Sequence, residues 1–155
     1  MPCRIQQVVL ARHWLRCVGL AQRRQPGDVG QLRQVLTNLV DNAVKYSPSG
    51  GDVHVRLEVV GKYVRFTVAD QGLGIPPAEQ GRIFEKFYRL DPDMTGGIGG
   101  TGLGLYISRE LVRRVHGRIW VEPNSGRGSI FNVEIPAASE PPSGQKHQRR
   151  AKASV

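Results

Sequence analysis

The stretch "LRQVLTNLVDNAVKYSPSGG", residues 32–51, carries the pattern that decides the predicted fold. Its apolar residues recur at i, i+3, i+4 and i+7, which is the spacing of one face of an α-helix. They are Leu32, Val35, Leu36, Leu39, Val40, Ala43 and Val44. The pattern predicts an amphipathic helix that Asp28 caps at its start and that ends in the proline- and glycine-rich segment 47–51.

A second, polar stripe runs along the same predicted helix. Asn38, Asn42 and Lys45 fall on one line at the margin of the apolar face, since successive residues turn by about 100°. Asparagine is a poor helix former that favours caps and turns, so two of them one turn apart need an explanation. A solvated face is the ordinary one, and the stripe alone does not decide against it.

Outside this helix the chain contains two pairs of predicted strands and two further helices. Alternating apolar residues predict a hairpin of "DVHVRLEVV" and "YVRFTVAD" around Gly61 and Lys62. "PPAEQGRIFEKFYR" predicts a short helix, and "LYISRELVRRVHG" predicts a longer one that stops at Gly117. "RIWVEP" and "GSIFNVEIP" predict two more strands. Helices and strands do not alternate one for one, which favours an α+β fold with a mixed sheet and helices on one face.

The two ends differ in composition from the middle of the chain. The 155 residues suit one domain, predicted here at 28–136. In the poorly defined segment 1–27, Ile5, Val8, Val9 and Leu15 suggest a helix, whereas Trp14, Arg16 and Val18 suggest a strand. Residues 137–155 are polar and rich in Pro, Ser, Lys and Arg, which predicts a disordered basic tail.

Charge and hydropathy narrow the function classes. The net charge is +9, but residues 28–136 carry only +1, so we predict no specific nucleic-acid partner and a solvated tail. No apolar run approaches the roughly 20 residues that span a bilayer, and no signal peptide is recognisable. We therefore expect a cytoplasmic protein that meets the membrane only through a partner. Cys3 and Cys17 are expected to be free thiols, with no zinc site.

Asp70 stands at the end of the second predicted strand, in "VADQGLGIP". A carboxylate at a strand end can accept hydrogen bonds from a ligand amine. Gly72 and Gly74 then let the backbone approach that ligand closely. An ordinary strand-to-helix turn has the same composition, so this segment is a weak indication by itself.

The glycine-rich segment "TGGIGGTGLGLYIS", residues 95–108, leads directly into a predicted helix. Backbone N–H groups from Thr101 to Leu105 could hold phosphates at the start of that helix. The dinucleotide-binding motif is excluded because no strand precedes Gly97, and the P-loop is excluded because Leu103 follows Gly102 where that motif needs lysine. A flexible linker is the alternative.

The segment "IFEKFYR", residues 83–89, combines aromatic residues with a cation. Phe84 and Phe87 are three residues apart and are expected to pack into the core. Arg89 follows them as a permanently charged donor suited to phosphate oxygens.

In their order along the chain, these four segments resemble the boxes of the catalytic ATP-binding domain of bacterial two-component sensor histidine kinases. "LRQVLTNLVDNAVKYSP" resembles the asparagine box, "DQGLGIP" the first glycine box, "IFEKFYRLD" the phenylalanine box and "GGTGLGLYIS" the second glycine box. The resemblance covers residues 28–136. It implies a two-layer α/β sandwich in which about five strands of a mixed sheet are covered on one face by three helices.

The resemblance also implies which residues bind ATP and Mg²⁺. Asn42 would ligate the metal, and Asp70 would accept from the adenine amine. The other implied nucleotide-binding residues are Asn38, Lys45, Tyr46, Gly72, Gly74, Arg89, Gly100, Thr101, Gly102, Leu103, Gly104 and Leu105. The two cations, Lys45 and Arg89, would neutralise charge on the transferred phosphoryl group.

The implied reaction is transfer of the γ-phosphoryl group of ATP to a histidine. The related gyrase, chaperone and mismatch-repair ATPases have a glutamate at the position of Asn38, so its absence suggests transfer rather than rapid hydrolysis. Asp41 is the nearest acid and a candidate base, although a solvated helix residue is the simpler explanation.

None of the four histidines lies in a sequence that resembles the family's acceptor hairpin. They are His13, His54, His116 and His147. We therefore expect an acceptor on a separate polypeptide or missing domain, with a response regulator downstream. A serine kinase of the anti-sigma-factor type and a non-catalytic nucleotide-sensing module are the alternatives.

Overall fold

The computed structural model describes residues 4–6, 27–90 and 97–137. The strands are β1 Arg4–Gln6, β2 Asp52–Val60, β3 Tyr63–Ala69, β4 Arg118–Pro123 and β5 Ser129–Pro136. The helices are α1 Gly27–Lys45 and α2 Gly104–Arg114, with two 3₁₀ helices at Pro77–Glu79 and Arg82–Phe84. Within the described residues, neither α1 nor α2 has the length and apolarity needed to cross a membrane.

The five strands form one mixed sheet in the order β1-β2-β3-β5-β4. β1 runs parallel to β2, whereas the other three neighbouring pairs are antiparallel. The predicted hairpin is present: Val60 pairs with Tyr63 around the turn Gly61-Lys62. Gly61 has a φ of +59°, which a residue without Cβ adopts easily.

The helices cover one face of the sheet, and the apolar core lies between the two layers. Leu32, Val35 and Leu39 of the predicted α1 stripe are at most 1% exposed. They share the core with Val112 of α2 and with residues of β2, β3, β4 and β5. The α+β class and the two-layer sandwich are therefore confirmed. The stripe ends earlier than predicted, because Val44 is 39% exposed.

The predicted short helix is replaced by two single 3₁₀ turns. Pro77 begins the first turn, and Gly81 separates it from the second. Phe87 then adopts a φ of +65°, which no continuing helix allows. The two helix ends also differ in detail. α1 begins at Gly27, so Asp28 lies inside its first turn.

The C-terminal end of α2 shows why Gly117 is needed. His116, rather than Gly117, has the left-handed conformation, with a φ of +58°. The Gly117 N–H donates to the carbonyl of Val112 over 2.9 Å. A Cβ at position 117 would overlap the carbonyl oxygen of Glu134 in β5. The glycine thus allows the segment that follows α2 to pack closely against the backbone of β5.

The segment 1–27 contributes a strand that the sequence pattern missed. Ile5, assigned above to a possible helix, lies in β1 and pairs with Val53. A three-residue strand is too short for its periodicity to be recognised. The expectations for residues 8–18, for Cys3 and Cys17 and for the tail beyond 137 lie outside the described residues.

Candidate functional site

A cleft of about 420 Å³ opens between α1, the end of β3 with the segment that follows it, and the start of α2. Twelve predicted site residues line it: Asn38, Asn42, Lys45, Tyr46, Asp70, Gly74, Arg89, Gly100, Thr101, Gly102, Gly104 and Leu105. The other lining residues are Leu73, Ile75, Pro76, Ile83, Tyr88, Leu90, Ser129 and Phe131. One cavity thus collects residues from all four sequence segments.

Asp70 is a buried carboxylate of the cleft, with 4% of the residue exposed. Its Oδ1 accepts the N–H of Gly72 over 2.9 Å and the N–H of Ser129 over 3.1 Å. Burial raises the pKa of the carboxyl above its usual range, and the two backbone hydrogen bonds partly oppose that rise. Both bonds from described residues end on Oδ1, so Oδ2 remains available to a ligand donor.

The backbone around Asp70 is fixed by its neighbour strand. The Asp70 N–H donates to the carbonyl of Ser129 over 2.9 Å. The carbonyl oxygen of Asp70 accepts a hydrogen bond from Nδ2 of Asn124 over 2.7 Å. Gly128 has a φ of +99°, and a Cβ there would overlap the Asp70 carbonyl oxygen. The turn before β5 therefore needs glycine in order to hold this carboxylate in place.

Apolar side chains surround the Asp70 end of the cleft. Ile83 and Phe131 are buried at 7% and 4% exposure, and Ile75 packs against the same core. Tyr46 lines the cleft from the end of α1. An apolar cavity with one carboxylate suits a flat heteroaromatic ring that carries an amine.

The polar stripe of α1 forms the other side of the cleft. Nζ of Lys45 lies 5.4 Å from the centre of the Tyr46 ring. A Cβ on Gly100 would lie 3.0 Å from the same Nζ, so the glycine-rich segment passes directly over this lysine. The Asn42 amide makes no hydrogen bond to any described side chain and faces the cleft unpaired.

The glycine-rich segment is held against the residues that follow the second 3₁₀ turn. The N–H of Phe87 donates to the carbonyl of Gly102 over 3.0 Å. Gly102 has a φ of +69°, and a Cβ there would lie 2.8 Å from the backbone of Phe87 and Tyr88. α2 then begins without a side-chain cap, which leaves its first N–H groups free for an anion.

Arg89 and Tyr88, which both line the cleft, are held by hydrogen bonds to neighbouring segments. One Arg89 guanidinium nitrogen donates to the carbonyl of Ile98 over 3.1 Å. The Tyr88 hydroxyl donates to Glu79, and this bond raises the pKa of the tyrosine. Arg89 is exposed and remains within reach of the cleft. Phe87, which was predicted to pack beside Phe84, is instead 63% exposed.

Three predicted site residues lie outside the cleft lining. Gly72 packs against the end of α1, where a Cβ would overlap the carbonyl oxygen of Tyr46. Leu103 is the residue immediately before α2. Asp41 lines a second cavity of about 420 Å³ between α1 and α2, which we call the interhelical cavity. Asn38 and Gly104 line both cavities.

The apolar lining residues escaped the sequence analysis. Ile83 and Phe131 were expected in secondary structure but not in a site, and Ser129 carried no motif. The proximity of Ser129 and Phe131 to Asp70 follows from the pairing of β3 with β5, in which Ala69 pairs with Ile130. The linear sequence contains no local signal for that register.

The described residues contain no group of three or more His, Cys, Asp or Glu side chains that could bind a metal. The unpaired amide of Asn42 fits Mg²⁺, a cation that usually takes one or two protein ligands with waters and phosphate oxygens. His54 lies in β2 and His116 follows α2, and neither lines the cleft.

Comparison with known proteins gives a consistent result. The family described as histidine kinase-, DNA gyrase B-, and HSP90-like ATPase matches residues 27–139. The adaptive-response sensory kinase SasA of Thermosynechococcus vestitus is 43% identical over 73% of this chain and 30% of its own length. The sensor histidine kinase WalK of Bacillus subtilis is 38% identical, over 73% of this chain and 19% of that protein. The chain thus spans less than a third of these relatives.

Solved structures agree with the sequence matches. Full-length ShkA in complex with AMPPNP has a TM-score of 0.63 and 37% identity, over 72% of this chain and 22% of that chain. The mycobacterial sensor histidine kinase MprB has a TM-score of 0.62 and 32% identity, over 72% of this chain and 74% of that chain. The likeness therefore extends from sequence to fold.

Proposed function

This chain belongs to the family of histidine kinase-, DNA gyrase B- and HSP90-like ATPases, and we propose that it is the ATP-binding catalytic domain of a two-component histidine kinase. It transfers the γ-phosphoryl group of ATP to a histidine on another polypeptide or on a domain outside this sequence. A response regulator receives the group afterwards, and the reaction takes place in the cytoplasm. The observation that carries the proposal is the single cleft shared by Asp70, the α1 polar stripe and the start of α2.

Adenine occupies the Asp70 end of the cleft in this proposal. The free Oδ2 of Asp70 accepts a hydrogen bond from the exocyclic amine of the base. The ring lies among Ile83, Phe131 and Tyr46, which line the same end. Guanine has a carbonyl oxygen where adenine has the amine, and two acceptors repel each other. The site therefore favours ATP over GTP.

The triphosphate lies between α1 and the glycine-rich segment. The uncapped N–H groups at the start of α2 donate to its oxygens, with Gly100, Thr101 and Gly102 alongside. Lys45 and Arg89 supply positive charge from opposite sides. Asn42 would hold Mg²⁺, which would neutralise phosphate charge when it is bound. Gly74, with a φ of +76°, shapes the loop beside the base.

The transfer step requires an imidazole aligned with the γ-phosphorus. The imidazole nitrogen forms a bond to phosphorus while the bond to the β,γ-bridging oxygen breaks, and ADP leaves with that electron pair. The N–H proton of the ring passes to a base, for which we propose Asp41. This assignment is supported by Asp41 lining the interhelical cavity, which borders the cleft at Asn38 and Gly104. Protein groups mainly position the reactants and stabilise charge.

The nucleotide site is tested with the purified chain and Mg·AMPPNP in a calorimeter. Lys45→Ala should weaken binding about tenfold, because one charge-assisted phosphate contact is worth roughly 1.4 kcal/mol. Lys62→Ala is a matched control: this lysine also lies over a tyrosine, 5.8 Å from the Tyr63 ring, but outside the cleft. We expect no change for it. Absence of binding by the unaltered chain, or equal losses in both variants, would contradict the proposed site.

The reaction is tested with ATP radiolabelled in the γ position and a candidate protein that carries the acceptor hairpin. Label should move to that protein in an acid-labile, base-stable form, which is the behaviour of phosphohistidine. Replacing the acceptor histidine should abolish transfer. An acid-stable product would indicate a serine kinase instead. Nucleotide binding without transfer to any tested hairpin protein would indicate a nucleotide-sensing module.

A further inference from the structure

Asn38 is held by contacts that the proposed nucleotide chemistry does not explain. Its Nδ2 donates to Oγ of Ser108 over 3.0 Å. Ser108 lies one turn into α2 and is 2% exposed. Among the described residues this is the only side-chain hydrogen bond that joins α1 to α2. A polar bond in this position fixes the separation and orientation of the two helices more specifically than apolar packing does.

Gly104, one turn before Ser108, lies next to the oxygen of the same amide. A Cβ on Gly104 would lie 2.5 Å from Oδ1 of Asn38, so the amide rests against the first residue of α2. The Asn38 side chain is therefore hydrogen-bonded at its nitrogen and packed against Gly104 at its oxygen. It forms the wall between the cleft and the interhelical cavity.

The consequence concerns the N–H groups at the start of α2. They bind the triphosphate only if α2 lies at the correct distance from Asn42 and Lys45 on α1. The Asn38–Ser108 bond joins the two helices close to those groups, since Gly104 lies in both the cleft and the contact. Small errors in such placement weaken binding strongly.

We infer that Ser108 is a positioning residue of the nucleotide site, which acts by holding the Asn38 amide against the start of α2. The inference rests on the proposed function, because it concerns the same site. Ser108 itself does not line the cleft, so we expect no direct contact between it and the nucleotide. Its effect on Mg·ATP binding must therefore pass through Asn38.

A double-mutant cycle on Mg·AMPPNP affinity tests this dependence. Ser108→Ala should weaken binding roughly fivefold to tenfold when Asn38 is present, the usual value of one buried hydrogen bond. In the Asn38→Ala background the same change should alter affinity less than about twofold, since no amide remains to be held. The weaker background is measured by titration to millimolar nucleotide. An equal factor in both backgrounds would overturn the inference.

Two further substitutions separate positioning from simple loss of packing. Ser108→Thr keeps the hydroxyl, and the adjacent interhelical cavity has room for its methyl group, so affinity should stay within about twofold. Ser108→Cys nearly preserves the volume but offers a weak acceptor, so it should lose affinity while remaining folded. Full affinity in both Ser108→Ala and Ser108→Cys would contradict the role of Ser108.

A matched control comes from the opposite face of the sheet. Oγ1 of Thr67 donates to Oδ1 of Asn132 over 3.0 Å, which is a hydroxyl–amide bond of the same length between two strands. Thr67→Val removes that bond and should leave nucleotide affinity unchanged. If the unaltered chain does not bind Mg·AMPPNP, the proposed nucleotide site itself is wrong, whereas normal binding by Asn38→Ala would overturn only the positioning inference. If Asn38→Ala weakens binding but the Ser108 variants do not, only the positioning inference fails.

Discussion

Two carboxylates are buried on opposite faces of the same sheet, and their surroundings differ. Asp70, on the face covered by helices, meets only backbone N–H groups. Glu134, on the other face of β5, accepts a hydrogen bond from Nε of Arg65 over 2.7 Å and another from Nε of Arg118 over 2.6 Å. They are 4% and 1% exposed, so burial alone does not distinguish them.

The pKa values of the two carboxyls shift in opposite directions. The hydrogen bond from Arg118 is the largest contribution that lowers the pKa of Glu134, and Arg65 adds to it against the effect of burial. Burial dominates at Asp70 and raises its pKa. A carboxylate with two cations is already satisfied by the protein. One that has only backbone donors and a free oxygen is ready to bind a ligand.

Asp70→Asn tests the ligand role of the Asp70 carboxylate and should give the largest loss of ATP affinity. The amide oxygen can still accept both backbone N–H groups on Oδ1, so the fold should survive. The amide N–H group then replaces Oδ2 and faces the adenine amine, donor against donor. We expect ATP affinity to fall by at least about 100-fold, because a buried charged acceptor is lost and a ligand donor is left unpaired.

The measurement compares ATP and GTP binding by calorimetry, with thermal melting as a check of folding. GTP affinity should fall less, so the preference for adenine should narrow. Asp52→Asn, the same chemical change at the start of β2, is the control and should not alter binding. An Asp70→Asn protein that is folded and binds ATP normally would refute the ligand role of Asp70.

Glu134→Gln should show the reverse pattern, with a loss of stability and no loss of nucleotide affinity. It leaves two guanidinium groups without their carboxylate. We expect a loss of about 2 kcal/mol, less than for a fully buried pair, because the Arg118 side chain is 68% exposed and can be hydrated. Denaturant unfolding of the variant measures this quantity.

The matched control for Glu134→Gln is Glu110→Gln on α2. Glu110 pairs with Arg113 over 3.2 Å at the surface, where the two side chains are 40% and 62% exposed. We expect its loss to stay below about 0.5 kcal/mol. Equal losses in the two variants would mean that Glu134 is no better satisfied than an ordinary surface residue.

The two carboxylates also differ in how far the sequence reveals them. Asp70 is followed by two glycines within four residues, and that local pattern led to its prediction as a site residue. Glu134 has no such signal, since Arg65 and Arg118 come from two other strands and meet it only through the register of the sheet. Local chemistry could be predicted, whereas pairing between distant segments could not.

The same reason explains the other differences between sequence and structure. The apolar patterns of α1 and of the β2–β3 hairpin repeat every few residues, so both elements and the faces that they bury could be predicted from the sequence. β1 is defined by its partner β2, which lies far along the chain. Phe87 was expected to pack because aromatic residues usually do, but its positive φ turns the chain toward Gly102. Ser108 belongs to a recognised segment, yet only the packing of α1 on α2 reveals its bond to Asn38.

The pH dependence of the free energy of unfolding is the smallest of these expected effects. Its sign should differ between the contributions of Glu134 and Asp70. The lowered pKa of Glu134 means that its contribution is present above the unfolded value near 4.5 and is lost as the pH falls through the folded value. The raised pKa of Asp70 gives the opposite: its contribution is present at low pH and is lost as the pH rises through the folded value.

On acidification, the stability advantage of the unaltered chain over Glu134→Gln should shrink, whereas its advantage over Asp70→Asn should grow. Denaturant unfolding of the three proteins from about pH 7 down to about pH 2, at constant ionic strength, measures both slopes. Two slopes of the same sign would show that the surroundings of the two carboxylates are not opposite in the way that their hydrogen bonds indicate.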